Sequence, residues 1–174
     1  TKKPDEIIQA VKWMEPTFGG INLEDFSKPK CFHILDTLRK EMPIPVWHDD
    51  QQGTAAVILA GVINALKIVG KKINETTFTI IGSGAANTRT FYVLEAAGVD
   101  PKKVIMVDSQ GIIHQNRKDI EGTYKWDLAL KTNPDFIEGG NMEAMKGSDI
   151  VIAASKPGPD VIKPEEVSMM ADDA

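Results

Sequence analysis

A single cysteine, Cys31, in 174 residues excludes an internal disulfide, and with it the small secreted scaffolds that disulfides hold together. Four residues before Leu35 on a helical pattern, Cys31 reads as a small buried hydrophobe rather than a nucleophile. Aromatics are scarce, at 6%. Trp13, Trp47 and Trp126 are spread too widely to form a base-stacking platform, so core packing is expected of them. Cations are outnumbered, 20 Lys and Arg against 25 Asp and Glu, for a net charge of -5. Nucleic acid is therefore not an expected partner, because neutralising phosphates takes clustered Lys and Arg. The longest apolar run, Ala55 to Val69, is broken by Asn64 and Lys67 and falls short of the roughly 20 residues that span a bilayer. No membrane is expected. The opening TKKPDEII turns charged too early for a signal peptide, and the composition suits an ordinary soluble globular protein, expected in the reducing cytoplasm given its single cysteine. The chain opens without Met and stops at MMADDA without a closing element, so it reads as a fragment of a longer enzyme.

What is present reads in two parts. In the first, Pro4 to Met14 suits a short helix, and EPTFGGIN an extended, turn-rich stretch. Pro29 can open a helix running to about Lys40, and the prolines of MPIPVWHDD keep that segment extended. GTAAVILAGVINALKIVG then begins with a Thr able to cap, ends at Gly70 and predicts a helix buried nearly all round. Beyond it, the β-branched runs TTFTIIG, KVIMVD and SDIVIAA alternate with helical stretches, the pattern of a parallel α/β sheet. The expected architecture is a Rossmann-like doubly wound parallel sheet over residues 52–174, preceded in residues 1–51 by part of a smaller domain.

TTFTIIG runs straight into GSGAAN and the helical TRTFYVLEAAG. A strand, a glycine-rich turn and a helix are what a dinucleotide site requires: Gly82 permits the tight turn, and Gly84 lets a pyrophosphate approach the backbone. The helix start, with Ser83, Ala85, Ala86 and Asn87, offers free N–H groups to the phosphates. Asn87 stands where the fingerprint has Gly or Ala. Asp108 closes the next strand, 21 residues after Asn87, where it could accept hydrogen bonds from the adenine ribose and favour NAD over NADP. Ser109 and Gln110 leave room for a phosphate if the turn shifts. AASKPG follows the third strand, so Ala154 and Ser155 are candidates to face the same crevice, as is Thr54 at the head of the long helix.

The acidic residues need a different account. Glu24 and Asp25 follow one extended segment, and His48, Asp49 and Asp50 end another. Adjacent carboxylates reach one ion only if the chain turns there, which the preceding glycines allow. Carboxylates without Cys or His at ligand spacing suit Mg²⁺ or Mn²⁺ rather than zinc.

EPTFGGINLEDF, IPVWHDDQQGTA, LAGVINALKIVGKK, GSGAAN and VDSQGII follow one another in an order that resembles the malic enzymes, most closely the compact bacterial or archaeal branch. The resemblance implies conversion of L-malate to pyruvate and CO₂ with a nicotinamide cofactor and a divalent metal, in at least a homodimer. It implies that residues 1–51 are the C-terminal part of a metal and substrate domain, with metal ligation by Glu24, Asp25 and Asp50 and with Asp49 supporting a catalytic lysine. That lysine and the tyrosine general acid belong to a segment upstream; Tyr92 and Tyr124 match no catalytic position, and no lysine here matches the family's, so this stretch expressed alone is expected to lack turnover. His33 reads as a packing or surface residue, His114 as part of the loop leaving the second strand, and His48 as a neighbour of the metal site. Two alternatives stay open: an amino-acid or methylene-tetrahydrofolate dehydrogenase on a similar frame, and a nucleotide-binding regulatory module whose acidic cluster is structural. No GxxxxGK[ST] loop occurs, which leaves phosphoryl transfer unsupported.

Overall fold

The computed structural model describes residues 1–174. Helix α1 (Pro4–Met14) has proline in its first turn and Asp5 and Glu6 beside the positive end of its dipole. Its buried Ile7, Ile8 and Val11 pack against Ile34, Leu35 and Leu38 of α2 (Lys30–Glu41), each helix supplying one apolar stripe. Strands β1 (Ile21–Leu23) and β2 (Val46–His48) pair in parallel, Leu23 opposite His48. Their ends therefore deliver residues 24 and 25 beside residues 49 and 50. Cys31 is fully buried in this core region, as its spacing predicts.

A π-helical turn (Asp49–Gly53) leads into α3 (Thr54–Val69), which stops where Gly70 turns left-handed at φ 70°. The expected threonine cap is not used: Gly53 holds the N-cap position and Thr54 is the first helical residue. The π turn already occupies the Thr54 N–H, which donates to the carbonyls of Asp49 and Gln51. Nor is α3 buried all round. Only Ala55, Val62 and Leu66 are buried, while Val57 and Ile68 are 69% and 86% exposed, because the helix is packed along one side, against the sheet domain. By length and a mean hydropathy of 1.6, Asp49–Val69 would pass for a membrane span, yet Val62 and Leu66 lie in the core of the sheet domain.

That core is built on β3 (Phe78–Ile81), α4 (Ala85–Ala96), β4 (Val104–Asp108), the short β5 (Gly111–Ile112), α5 (Tyr124–Lys131), α6 (Asn141–Met145) and β6 (Ile150–Ala153). A last short helix, α7 (Pro164–Val167), lies beside α6. The sheet order is β5-β4-β3-β6, with β3 parallel to both neighbours and β5 antiparallel at the edge. Alternation sends Phe78, Ile80, Val104 and Met106 to a face covered by α3, α4 and α5. Val107 and Ile112 meet Ala144 of α6 on the other face, so the sheet is wound on both sides. Two tryptophans depart from the core packing expected of them: Trp13 is 74% and Trp47 41% exposed. Trp13 lies off the stripe that α1 buries, and Trp47 alternates outward between buried Val46 and His48. Trp126 does pack against the sheet core.

Candidate functional site

The chain leaves β3 for β4 on one side and returns as β6 on the other, which opens a crevice at the carboxyl ends of these strands. It measures about 470 Å³ and is walled by Gly82, Ser83, Gly84, Asp108, Ser109 and Ser155, with Lys28 and Lys125 among the cations lining it. Gly82 has φ 100° and donates its N–H to the Val107 carbonyl at 2.8 Å. A Cβ on it would stand 2.9 Å from the Cα of Ser155, so the loops after β3 and β6 meet at a point only glycine can occupy. Gly84 caps α4 with no side-chain partner for the helix's first N–H groups, and Ala85 and Ala86 form its first residues. An open cradle backed by unpaired N–H groups at the positive end of a helix fits a pyrophosphate.

Asn87, the departure from the glycine fingerprint, lies fully buried beneath this turn. Its Nδ2 donates to the carbonyls of Ile81 at 2.8 Å and Gly82 at 3.1 Å, stapling the turn to the strand it leaves. Tyr124, which no motif singles out, donates its hydroxyl to the Ser83 carbonyl at 2.7 Å. Its ring meets Phe32 of α2 with centroids 4.8 Å apart, so the turn is buttressed from the first unit as well. Burial pushes the Tyr124 phenol pKa up.

Asp108 stands at the crevice with its side chain only 3% exposed. One carboxylate oxygen accepts from the Gln110 N–H and Arg117 Nη1, both at 2.8 Å; the other accepts from Arg117 Nη2 at 3.1 Å and from Lys125 Nζ. Those four donors fill the acceptor positions of a carboxylate, which leaves none free for ribose hydroxyls. Burial pushes the Asp108 pKa up, but the bonds from Arg117 and Lys125 outweigh it and hold the carboxyl below its ordinary value. Ser155 lines the crevice and Ala154 precedes it, its N–H on the Ile81 carbonyl at 3.3 Å. Thr54, at the head of α3, is not part of the lining.

The acidic residues collect at the neighbouring ends of β1 and β2. The turn expected from the preceding glycines occurs at Asp25 itself, with φ 58°. The Asp25 N–H donates to Asp50 Oδ2 at 3.0 Å, and Glu24 Oε1 accepts from Asn22 at 2.8 Å. Three carboxylates on adjoining loops are suitable donors for a hard divalent ion. They do not converge into one coordination sphere here, nor do any three His, Cys, Asp and Glu side chains. Asp49 folds back over Gly53, where a Cβ would meet its carboxylate. His48 is wholly buried with its Nδ1 3.9 Å from Asp50, and burial lowers its pKa against the pull of Asp50 and Glu24. Beside it, Gln51 donates to the Cys31 carbonyl at 3.3 Å and accepts from Arg89 of α4 at 3.2 Å, tying the acidic turn to both units. His33 lies on the surface near Asp5, in keeping with its bland reading.

Residues 51–157 match the family description "Malic enzyme, NAD binding domain", and residues 1–39 match "Malic enzyme, N-terminal domain". The chain belongs to the malic enzymes. It is 47% identical to the NAD-dependent malic enzyme of Geobacillus stearothermophilus over 99% of its own length and 35% of that relative's. The NADP-dependent malic enzyme of Escherichia coli is 39% identical, with 97% of this chain and 22% of that protein covered. A solved malic enzyme from Pyrococcus horikoshii superposes with a TM-score of 0.95 at 49% identity, covering 100% of this chain and 41% of that one. The Entamoeba histolytica malic enzyme gives 0.92 at 46%, covering 98% and 36%. The chain thus spans between 22% and 41% of the length of these malic enzymes.

Proposed function

We propose that the full-length polypeptide oxidatively decarboxylates L-malate to pyruvate and CO₂ with reduction of NAD or NADP, as a cytoplasmic homo-oligomer that requires Mg²⁺ or Mn²⁺. The observation that carries this reading is the crevice in which the glycine turn of the sheet domain meets Lys28, three residues beyond Asp25 in the loop after β1. A bound nicotinamide would supply the hydride acceptor, and a bound divalent ion would supply a Lewis acid for the oxygens of malate. The chain's own residues position these groups. The first N–H groups of α4 would hold the pyrophosphate, Ser155 walls the crevice, and Glu24, Asp25 and Asp50 would supply carboxylates for the ion once their side chains turn toward one point.

Neither Tyr124, beside the glycine turn, nor Lys125, in the crevice, is free to transfer a proton. The Tyr124 hydroxyl is committed to Ser83 and the Lys125 ammonium to Asp108. Cofactor choice is open to both dinucleotides for an electrostatic reason: Arg117 and Lys125 balance the charge of Asp108, which therefore presents no bare carboxylate to a 2′-phosphate.

The test is malate-dependent reduction of NAD and of NADP by the full-length polypeptide, with Mn²⁺ and with EDTA, while pyruvate and CO₂ are assayed. Reduction with both products, abolished by EDTA and restored by Mn²⁺, is the expected result. Oxaloacetate without CO₂ would instead identify a simple malate dehydrogenase.

A further inference from the structure

Lys28 lies outside every motif that points to the cofactor, in the loop between β1 and α2 of the first unit. Its Nζ nevertheless stands 4.0 Å from the point a Gly84 Cβ would occupy. The lysine lines the crevice beside Gly82, Ser83 and Gly84, and its ammonium has no carboxylate partner, whereas Lys125 in the same crevice is bound to Asp108. The space left by the missing Gly84 side chain is thus bounded by the first N–H groups of α4 on one side and a free cation on the other. Hydrogen-bond donors and a positive charge converging on one small volume are what a phosphate requires.

We propose that Lys28 is a pyrophosphate-binding residue, contributed by the metal-side unit to the dinucleotide site of the sheet domain. The inference rests on the dinucleotide reading of the glycine turn. The loop that carries Lys28 is not free to wander. The Cys31 N–H donates to the Ser27 carbonyl at 3.2 Å, and α2 is pressed against the turn through Phe32 and Tyr124. Lys28 follows Asp25 by three residues, so one loop presents carboxylates toward the ion and an ammonium toward the phosphates. A bound dinucleotide then holds that loop by its charge, and filling one site steadies the other.

The test is NADH affinity by fluorescence titration of the full-length polypeptide, without malate or metal, at low and high salt. Lys28→Met is expected to weaken binding about tenfold, about 1.4 kcal/mol, and to flatten its salt dependence. Lys28→Arg returns most of the affinity, and Lys30→Met on the adjoining helix leaves it unchanged, with melting temperatures alike in all variants. Lys28→Met binding within twofold of the wild type, while the wild type binds NADH, overturns the inference and leaves the dinucleotide site standing. A wild type that binds no NADH overturns both. Lys28-dependent NADH binding without malate-dependent reduction keeps the inference and removes the decarboxylase reading.

Discussion

Gly82→Ala is expected to weaken NADH binding about a hundredfold and to lower folding stability by about 3 kcal/mol, the sum of a strained backbone and an overpacked contact. Two independent features of the position converge. Its φ of 100° lies where L side chains are strained, and the added methyl would press on the Ser155 Cα at 2.9 Å, a backbone atom that cannot rotate away. Relief requires the loops after β3 and β6 to part. That would draw the Gly82 N–H from the Val107 carbonyl and the Gly82 carbonyl from Asn87, dismantling the phosphate cradle. Gly84→Ala supplies the contrast, because Gly84 has φ -80° and a Cβ there would meet nothing nearer than the flexible Lys28 Nζ at 4.0 Å. It should fold like the wild type and lose affinity alone. Chemical denaturation and NADH titration of both variants check this; an alanine at position 82 that binds NADH within threefold of glycine would show that the two loops separate freely.

The dinucleotide turn was legible because its determinants are local. A β-branched strand, two glycines and a helix start occupy consecutive residues, and the strand, turn and helix fall at 78–81, 82–84 and 85–96. What surrounds the turn was not legible, because the contacts come from far along the chain. Tyr124 reaches Ser83 across 41 residues and Arg117 reaches Asp108 from beyond a reversal at β5. Asn87 looked like a flaw in the fingerprint, although an amide at the first turn of a helix can reach back to the preceding carbonyls, a signal that spacing alone could have raised. The long apolar helix misled for a related reason. Its composition measures what it can bury, whereas Val57 and Ile68 show that no neighbour among these residues covers the outer face. The acidic residues fall between these cases: two parallel strands bring their loops together, but the direction each carboxylate takes depends on Asn22 and on the backbone at Asp25.

Asp108→Asn is expected to destabilise the folded protein by about 3 kcal/mol at neutral pH, in the range for breaking a buried ion pair. An amide offers one acceptor oxygen where the carboxylate offered two, and it turns an NH₂ toward Arg117 or Lys125, which also donate. Arg117 keeps Asp119, which holds its guanidinium pKa up, but Lys125 loses its partner. The sign of the pH dependence separates this cause from simple packing. The folded Asp108 pKa lies below the ordinary carboxylate value, so its stabilising contribution is present above that value and is lost as pH falls through the folded pKa. The stability difference between wild type and Asp108→Asn should therefore be full at neutral pH and shrink below about pH 4, as read from urea titrations at a series of pH values. A difference that stayed constant into strong acid would assign the cost to shape instead of charge. The same substitution bears on the cofactor: with Lys125 released and one negative charge removed from the crevice, the ratio of NADPH to NADH affinity should rise. A fall in that ratio would mean that Asp108 serves NADPH by fixing Lys125 in place, because a lysine that has lost its anchor gains charge exposure but no longer has a defined position.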